Sequence, residues 1–252
     1  RAFFDGNIQA YAVYDKQLSV AEVAALTGEM LTLGIYRRLR VAHVKMEFGG
    51  LIHFGMGTFT GADASDPDII ETFAPTGVLD MEEWVDACVS ADMKYAGFVS
   101  KHYDGFAAWP TAQAVDGFDP YSIAQTAYYA ANGNPDLVEQ FTDLARARGL
   151  KVGLYYNMHD STWESRAEAT PATATAAYLA YVSGQITELL SDYGNIDFLW
   201  VDAWPAPYVG FDYVPYATIY ALVKGLQPNC VLIANTHRHP TSTTLEVNSE
   251  IE

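Results

Sequence analysis

Basic residues are scarce in this chain: 14 Lys and Arg stand against 31 Asp and Glu, a formal charge of −17 over 252 residues. Nucleic acid and anionic membrane surfaces both need a basic footprint, so neither is expected as the main partner. Cysteine is nearly absent as well. Cys88 and Cys230 make no disulfide framework and say little about redox compartment. No apolar run is long enough to cross a bilayer. Among His53, His102, Asp104 and His237 no pair has H-x-H or H-E-x-x-H spacing, and no metal site or other cofactor is expected. A signal peptide is missing too, but the chain opens in mid-pattern, as if its N-terminus lay further upstream. What remains is a chain that is half hydrophobic, ample for a large core, and suited to a neutral or cationic small molecule.

The clearest pattern lies at Asn195–Trp204, NIDFLWVDAW. The apolar run Phe198–Val201 reads as a strand buried on both faces, with Asp197 at its entry and Asp202 at its exit. Taken singly, Asp202 reads as a loop cap. Four other strands end in the same way, however. Leu51–Phe54 ends near His53, Tyr95–Lys101 runs into His102 and Asp104, Lys151–Tyr156 runs into Asn157, His159 and Asp160, and Cys230–Ala234 runs into Asn235 and His237. Helical patterns lie between them. Asp80 and Glu83 have N-cap spacing before Trp84, Val85 and Cys88; Asn134-Pro135-Asp136 opens a helix with Leu137, Phe141 and Leu144 on one face; Tyr178, Val182, Ile186 and Leu189 form another face; and a last helix covers roughly 213–226. This βα alternation predicts a parallel α/β architecture: a (β/α)8 TIM-type barrel, truncated at its C-terminal side, with an open doubly wound sheet as the weaker alternative. A closed barrel usually takes about 250 residues, and only about 200 follow Leu51. In a barrel the polar strand ends share the rim where chemistry is built. Aromatic residues accompany them, among them Tyr103, Trp109, Tyr155, Tyr156 and Trp204, and rings mixed with directed polar groups suit a sugar.

Residues 1–30 read as a separate piece. A strand over Ile8–Tyr14, a turn, and a helix opened by Ser19 and Glu22 cannot bury a core alone. The stretch resembles the last strand and exit helix of laminin-G-like (concanavalin A-like) sandwich modules, so residues 1–30 are expected to be the tail of such a module and 31–252 the barrel domain.

The barrel motifs resemble those of the family-29 glycoside hydrolases, the α-L-fucosidases. Leu51–Gly55 is LIHFG, where the family shows F-I-H-[FW]-G; Phe73-Ala74-Pro75, Asp80, Trp84 and Asp92–Tyr95 follow in the family's order; Lys101–Trp109, KHYDGFAAW, is similar to K-H-H-D-G-F-x-x-W; Gly149–Tyr156 matches G-L-K-x-G-x-Y-Y; and Leu199–Asp202 matches L-W-x-D. The resemblance implies a retaining hydrolase of α-L-fucosides, with Asp202 as nucleophile and His53 and His102 binding the sugar. It also implies a fucosylated glycan as partner, and a secreted, periplasmic or cell-surface setting. Tyr103 departs from the family, standing where its second His would be, so one hydrogen bond to the sugar is expected to be lost or supplied differently. Tyr103, Trp109, Tyr156 and Trp204 complete the expected sugar-binding set. The acid/base carboxyl falls among Glu246, Glu250 and Glu252, with Glu250 the choice. Two rivals stand beside this reading: a barrel that binds fucose without catalysis, and a metal-dependent hydrolase using His53, His102, Asp104 and His237.

Overall fold

The computed structural model describes residues 38–39, 41–61, 67–170, 173–203 and 214–234. The chain divides into two compact units, Arg1–Glu47 and Phe48–Glu252. In the first, residues 38–39 and 41–44 are helical; the laminin-G-like tail expected over 1–30 lies outside the described residues.

The second unit is built on five parallel strands: β1 Gly49–Ile52, β2 Tyr95–Lys101, β3 Lys151–Asn157, β4 Phe198–Asp202 and β5 Val231–Ala234. They pair in the order β1-β2-β3-β4-β5, each strand beside its successor in sequence. A doubly wound sheet would reverse its order at a switch point. Unbroken succession is instead that of a barrel wall, as expected from the βα alternation. Helices α1 Gly57–Thr60, α2 Met81–Ser90, α3 Ala127–Ala131, α4 Leu137–Ala147, α5 Ser161–Ala167, α6 Thr175–Ser191 and α7 Tyr216–Leu226 lie between the strands.

Capping residues set several of the helix starts. Asp80 accepts the Glu83 N–H at 3.0 Å to open α2, and Asp136 accepts from Val138 at 2.9 Å and Glu139 at 3.0 Å to open α4. The α4 start therefore falls later than the Asn-Pro signal suggested, because Asp136 and not Asn134 is the cap; Asn134 itself has a left-handed φ of +61°. The buried faces of these helices cover one side of the sheet. Phe98, for example, stacks on Phe141 of α4 with ring centroids 5.3 Å apart.

The other side of the sheet is the barrel interior. There Phe198 lies across β3: a Cβ added at Gly153 would fall within its ring, while one at Gly97 would first meet Leu51 Cδ1, at 3.0 Å. One strand gives up its side chain so that its neighbour can supply a large ring. The N-terminal rim is fastened by Asp197, which accepts from Lys151 Nζ and the Val152 N–H, both at 2.9 Å. Asp197 thus binds β4 to β3 at the end opposite Asp202.

Candidate active site

Parallel strands bring their C-terminal ends to one rim, and side chains of alternate residues face the interior. On β3 the register partners Gly153↔Phe198, Tyr155↔Trp200 and Asn157↔Asp202 share the interior face. Tyr156 is then turned outward, where it is fully buried and donates to Gln185 Oε1 of α6 at 2.7 Å. Tyr156 therefore does not line the site, contrary to the sequence expectation; Tyr155, one residue earlier and in phase with Asp202, does.

Simple alternation from Gly97 and Val99 would turn Lys101 inward and His102 outward. A bulge between Val99 and Lys101 prevents this: Val99 pairs with Tyr155, but Lys101 pairs with Tyr156. One extra residue reverses the facing of everything after it. Lys101 joins Tyr156 on the helix side, and His102 turns toward the interior.

His102 there meets both neighbours. Its ring lies 4.5 Å from that of His53, which follows β1, and 5.8 Å from that of Tyr155, roughly parallel to it. The Tyr155 hydroxyl donates to Asp202 Oδ2 and accepts from Asn157 Nδ2 at 3.2 Å. The Ala203 N–H donates to Asp202 Oδ1 at 2.8 Å, and Ala203 holds a left-handed φ of +55° that few non-glycine residues adopt. Both carboxylate oxygens are thus fixed in direction. Backbone strain of this kind next to a carboxylate is a feature of functional rims.

A cavity of about 350 Å³ opens beside the two histidines, with Phe54, Val99, Asp104 and Phe106 among its lining. Asp202 is not in its wall; it lies one side chain away, across Tyr155. Trp204 and Glu250, expected in the site, lie outside the described residues, as do Asn235, His237, Glu246 and Glu252. Among the described residues no group of three His, Cys, Asp or Glu side chains is placed to hold a metal ion. The set described here — a carboxylate, a phenol, an amide and two imidazoles — can hold sugar hydroxyls by directed hydrogen bonds and present Asp202 to an electrophilic carbon.

Two other expected residues serve elsewhere. Trp109 is buried and donates through Nε1 to Glu188 Oε2 at 2.9 Å. Glu188 also accepts from Thr111 Oγ1 at 2.6 Å, the Ala112 N–H at 3.0 Å and Gln113 Nε2 at 2.9 Å, so it anchors the 109–113 segment to α6. Tyr103 stacks on His159 with centroids 3.7 Å apart, and its carbonyl accepts the Ser161 N–H at 3.1 Å. Burial, with the charge of Glu164 added, pushes its phenol up from the ordinary tyrosine value. It packs on the loop after β3 and is not part of the cavity wall. The remaining polar residues of KHYDG build the scaffold. Asp104 accepts the Phe106 N–H at 2.7 Å, and Lys101 pairs with Asp160 at 3.0 Å with neither side chain exposed.

Comparison with known proteins agrees with this architecture. The α-L-fucosidase family profile matches residues 42–250. An Arabidopsis thaliana protein that bears the name α-L-fucosidase 1 is 28% identical over 188 residues, 73% of this chain and 34% of its own length. A glycoside hydrolase 29 family member from an unknown rumen bacterium superposes with a TM-score of 0.62 at 28% identity, covering 77% of this chain and 35% of that one. The α-L-fucosidase isoenzyme 1 of Paenibacillus thiaminolyticus gives a TM-score of 0.62 at 25% identity, with 80% of this chain and 51% of that one covered. This chain spans about a third of the length of the curated relatives it matches.

Proposed function

The chain belongs to the α-L-fucosidase family, and from that premise we propose that it forms part of a retaining glycoside hydrolase that cleaves α-L-fucosides from fucosylated glycans. The observation that carries this reading is the setting of Asp202: a carboxylate at the C-terminal end of a barrel strand, its two oxygens fixed by Tyr155 and Ala203, with Tyr155 linking it to the paired imidazoles of His102 and His53. In the proposed first step an Asp202 oxygen forms a bond to the anomeric carbon as the glycosidic C–O bond breaks. The departing oxygen takes a proton from a second carboxyl, for which Glu250 is our choice. In the second step that carboxylate removes a proton from water, whose oxygen displaces Asp202 and releases fucose. Retaining chemistry of this type requires carboxyl groups about 5–5.5 Å apart. His53 and His102 hold sugar hydroxyls during both steps.

The same reading carries three further parts: residues 1–30 as the tail of a laminin-G-like module and a secreted, periplasmic or cell-surface location, both from resemblance, and no nucleic-acid partner for a chain of charge −17. Among the described residues no helix is long and apolar enough to cross a membrane.

The test is Asp202→Gly in the full-length protein, assayed with 4-nitrophenyl α-L-fucoside. Turnover is expected to vanish from folded protein. Added azide, entering the vacated space, is expected to restore part of it and yield a fucosyl azide. Near-normal turnover by the variant would remove Asp202 from the mechanism.

A further inference from the structure

His102 reaches the interior only because the chain gains a residue at the β2 bulge, so something must hold that bulge in place. Ser100 contributes locally, donating through Oγ to the Tyr155 carbonyl at 2.6 Å and accepting the Ala108 N–H at 2.9 Å. The residue just before His102 is held more strongly. Lys101 has no exposed surface, and its Nζ stands 3.0 Å from Asp160 Oδ2, 4.3 Å from the centre of the Tyr156 ring and 5.4 Å from that of Tyr181. The carboxylate it meets is used on both oxygens. Tyr181 donates to Oδ2 at 3.0 Å, and the Trp163 N–H donates to Oδ1 at 2.7 Å, capping α5.

The loop after His102 returns to the same carboxylate. Gly105 has a φ of +86°, and a Cβ there would collide with the Asp160 side chain. His102 is therefore flanked by two residues, Lys101 and Gly105, both set against Asp160. Asp160 in turn lies three residues beyond Asn157, the register partner of Asp202.

We propose that the buried Lys101–Asp160 ion pair is a positioning element: it locks the β2 bulge and fixes His102 relative to the Asp202 strand. Stability alone does not account for such a pair, since burying two charges is costly and apolar residues of similar volume often serve a core equally well. What an apolar pair cannot supply is a directed bond at a set length. Burial pulls the Lys101 ammonium below its ordinary value, and Asp160 opposes that pull, as befits a pair maintained against its desolvation. The assignment of a role in catalysis rests on the fucosidase reading above, in which His102 binds the sugar.

The experiment separates holding the fold from aiming His102. In the full-length protein, Lys101→Met alone leaves Asp160 buried without its partner and is expected to destabilise strongly. Lys101→Met combined with Asp160→Asn removes both charges but keeps an oxygen for the Trp163 cap. The double variant is expected to regain a melting temperature close to that of wild type. Its kcat/KM on 4-nitrophenyl α-L-fucoside is expected to stay at least tenfold down, with the His102 ring resonances shifted by NMR. Wild-type kcat/KM together with unmoved His102 resonances in the folded double variant would overturn the proposal. Should the double variant not fold, Tyr181→Phe decides: at least a threefold loss of kcat/KM at unchanged melting temperature supports the lock, and unchanged kcat/KM overturns it. Failure of the fucosidase reading shows separately, as a wild-type protein without turnover, and the His102 resonances then still decide the positioning claim.

Discussion

Tyr155 and Asp202 stand on adjacent parallel strands, and the phenol of the first donates to the carboxylate of the second while resting beside His102. One side chain thus connects the proposed nucleophile to the proposed sugar-binding histidine. The connection depends on register. Tyr155 pairs with Trp200 and Asn157 with Asp202, so the phenol reaches forward by two residues on its own face.

Removing that hydroxyl is expected to impair the proposed chemistry without unfolding the barrel. A hydrogen bond to a charged group contributes about 1.5–3 kcal/mol, equivalent to roughly a 10- to 100-fold fall in kcat/KM. Steady-state kinetics of Tyr155→Phe on an aryl α-L-fucoside, with a thermal melt alongside, measure both quantities. Unchanged kinetics would show that Ala203 alone suffices to orient the carboxylate.

Asp197 provides the contrast on the same strand. Its carboxylate fastens Lys151 and the Val152 N–H at the opposite rim. Asp197→Asn is expected to lower unfolding stability by about 1–2 kcal/mol and to leave kcat within a factor of about two. Denaturant titration and kinetics on one preparation check both; loss of turnover from folded protein would place Asp197 in the chemistry instead.

Glu188 ends four hydrogen bonds from a single segment. Glu188→Ala strands the buried indole N–H of Trp109 and frees residues 109–113, at an expected cost of at least about 3 kcal/mol. Limited proteolysis of the variant should open this segment first, and an intact segment with wild-type stability would count against the anchor.

The α4 cap titrates in a defined direction. Burial pushes the Asp136 carboxyl up, although hydrogen bonds from Glu139, Tyr193 and Val138 pull the other way. A carboxyl raised in the folded state binds its proton more tightly there than in the unfolded chain. Its contribution to stability is therefore fully present below the ordinary aspartate value, about 3.9, and is lost as pH rises through the native one. Asp136→Asn keeps a capping oxygen but cannot titrate. The melting temperature of this variant relative to wild type should become more favourable between pH 4 and pH 7; a constant difference would show that the cap does not titrate in this range.

Much of this fold can be read from the chain. Apolar runs closing on His53, His102, Asn157 and Asp202 mark successive parallel strands, and entry against exit separates Asp197 from Asp202. Facing is harder. Two adjacent tyrosines in one apolar strand do not reveal which turns inward, and Tyr155 is singled out only once Asn157 is paired with Asp202. The bulge at Ser100 carries no sequence signature, since it is held by a hydroxyl bond to a neighbouring strand and by an ion pair 59 residues apart. Trp109 looks like a sugar platform until Glu188, 79 residues away, takes its N–H. Long-range partners of this kind are outside the reach of local pattern.

The fit of Phe198 over Gly153 has a historical implication. Two strands share one volume there, and the ring of one occupies the place of a side chain on the other. Enlarging Gly153 while Phe198 remains overfills that volume, and shrinking Phe198 while Gly153 remains empties it; each costs about 1–5 kcal/mol. Moving the large residue from one strand to the other therefore demands paired changes, with a poorly folded intermediate between them. Lineages that settle on this arrangement are held in it, so these two positions should drift together or not at all.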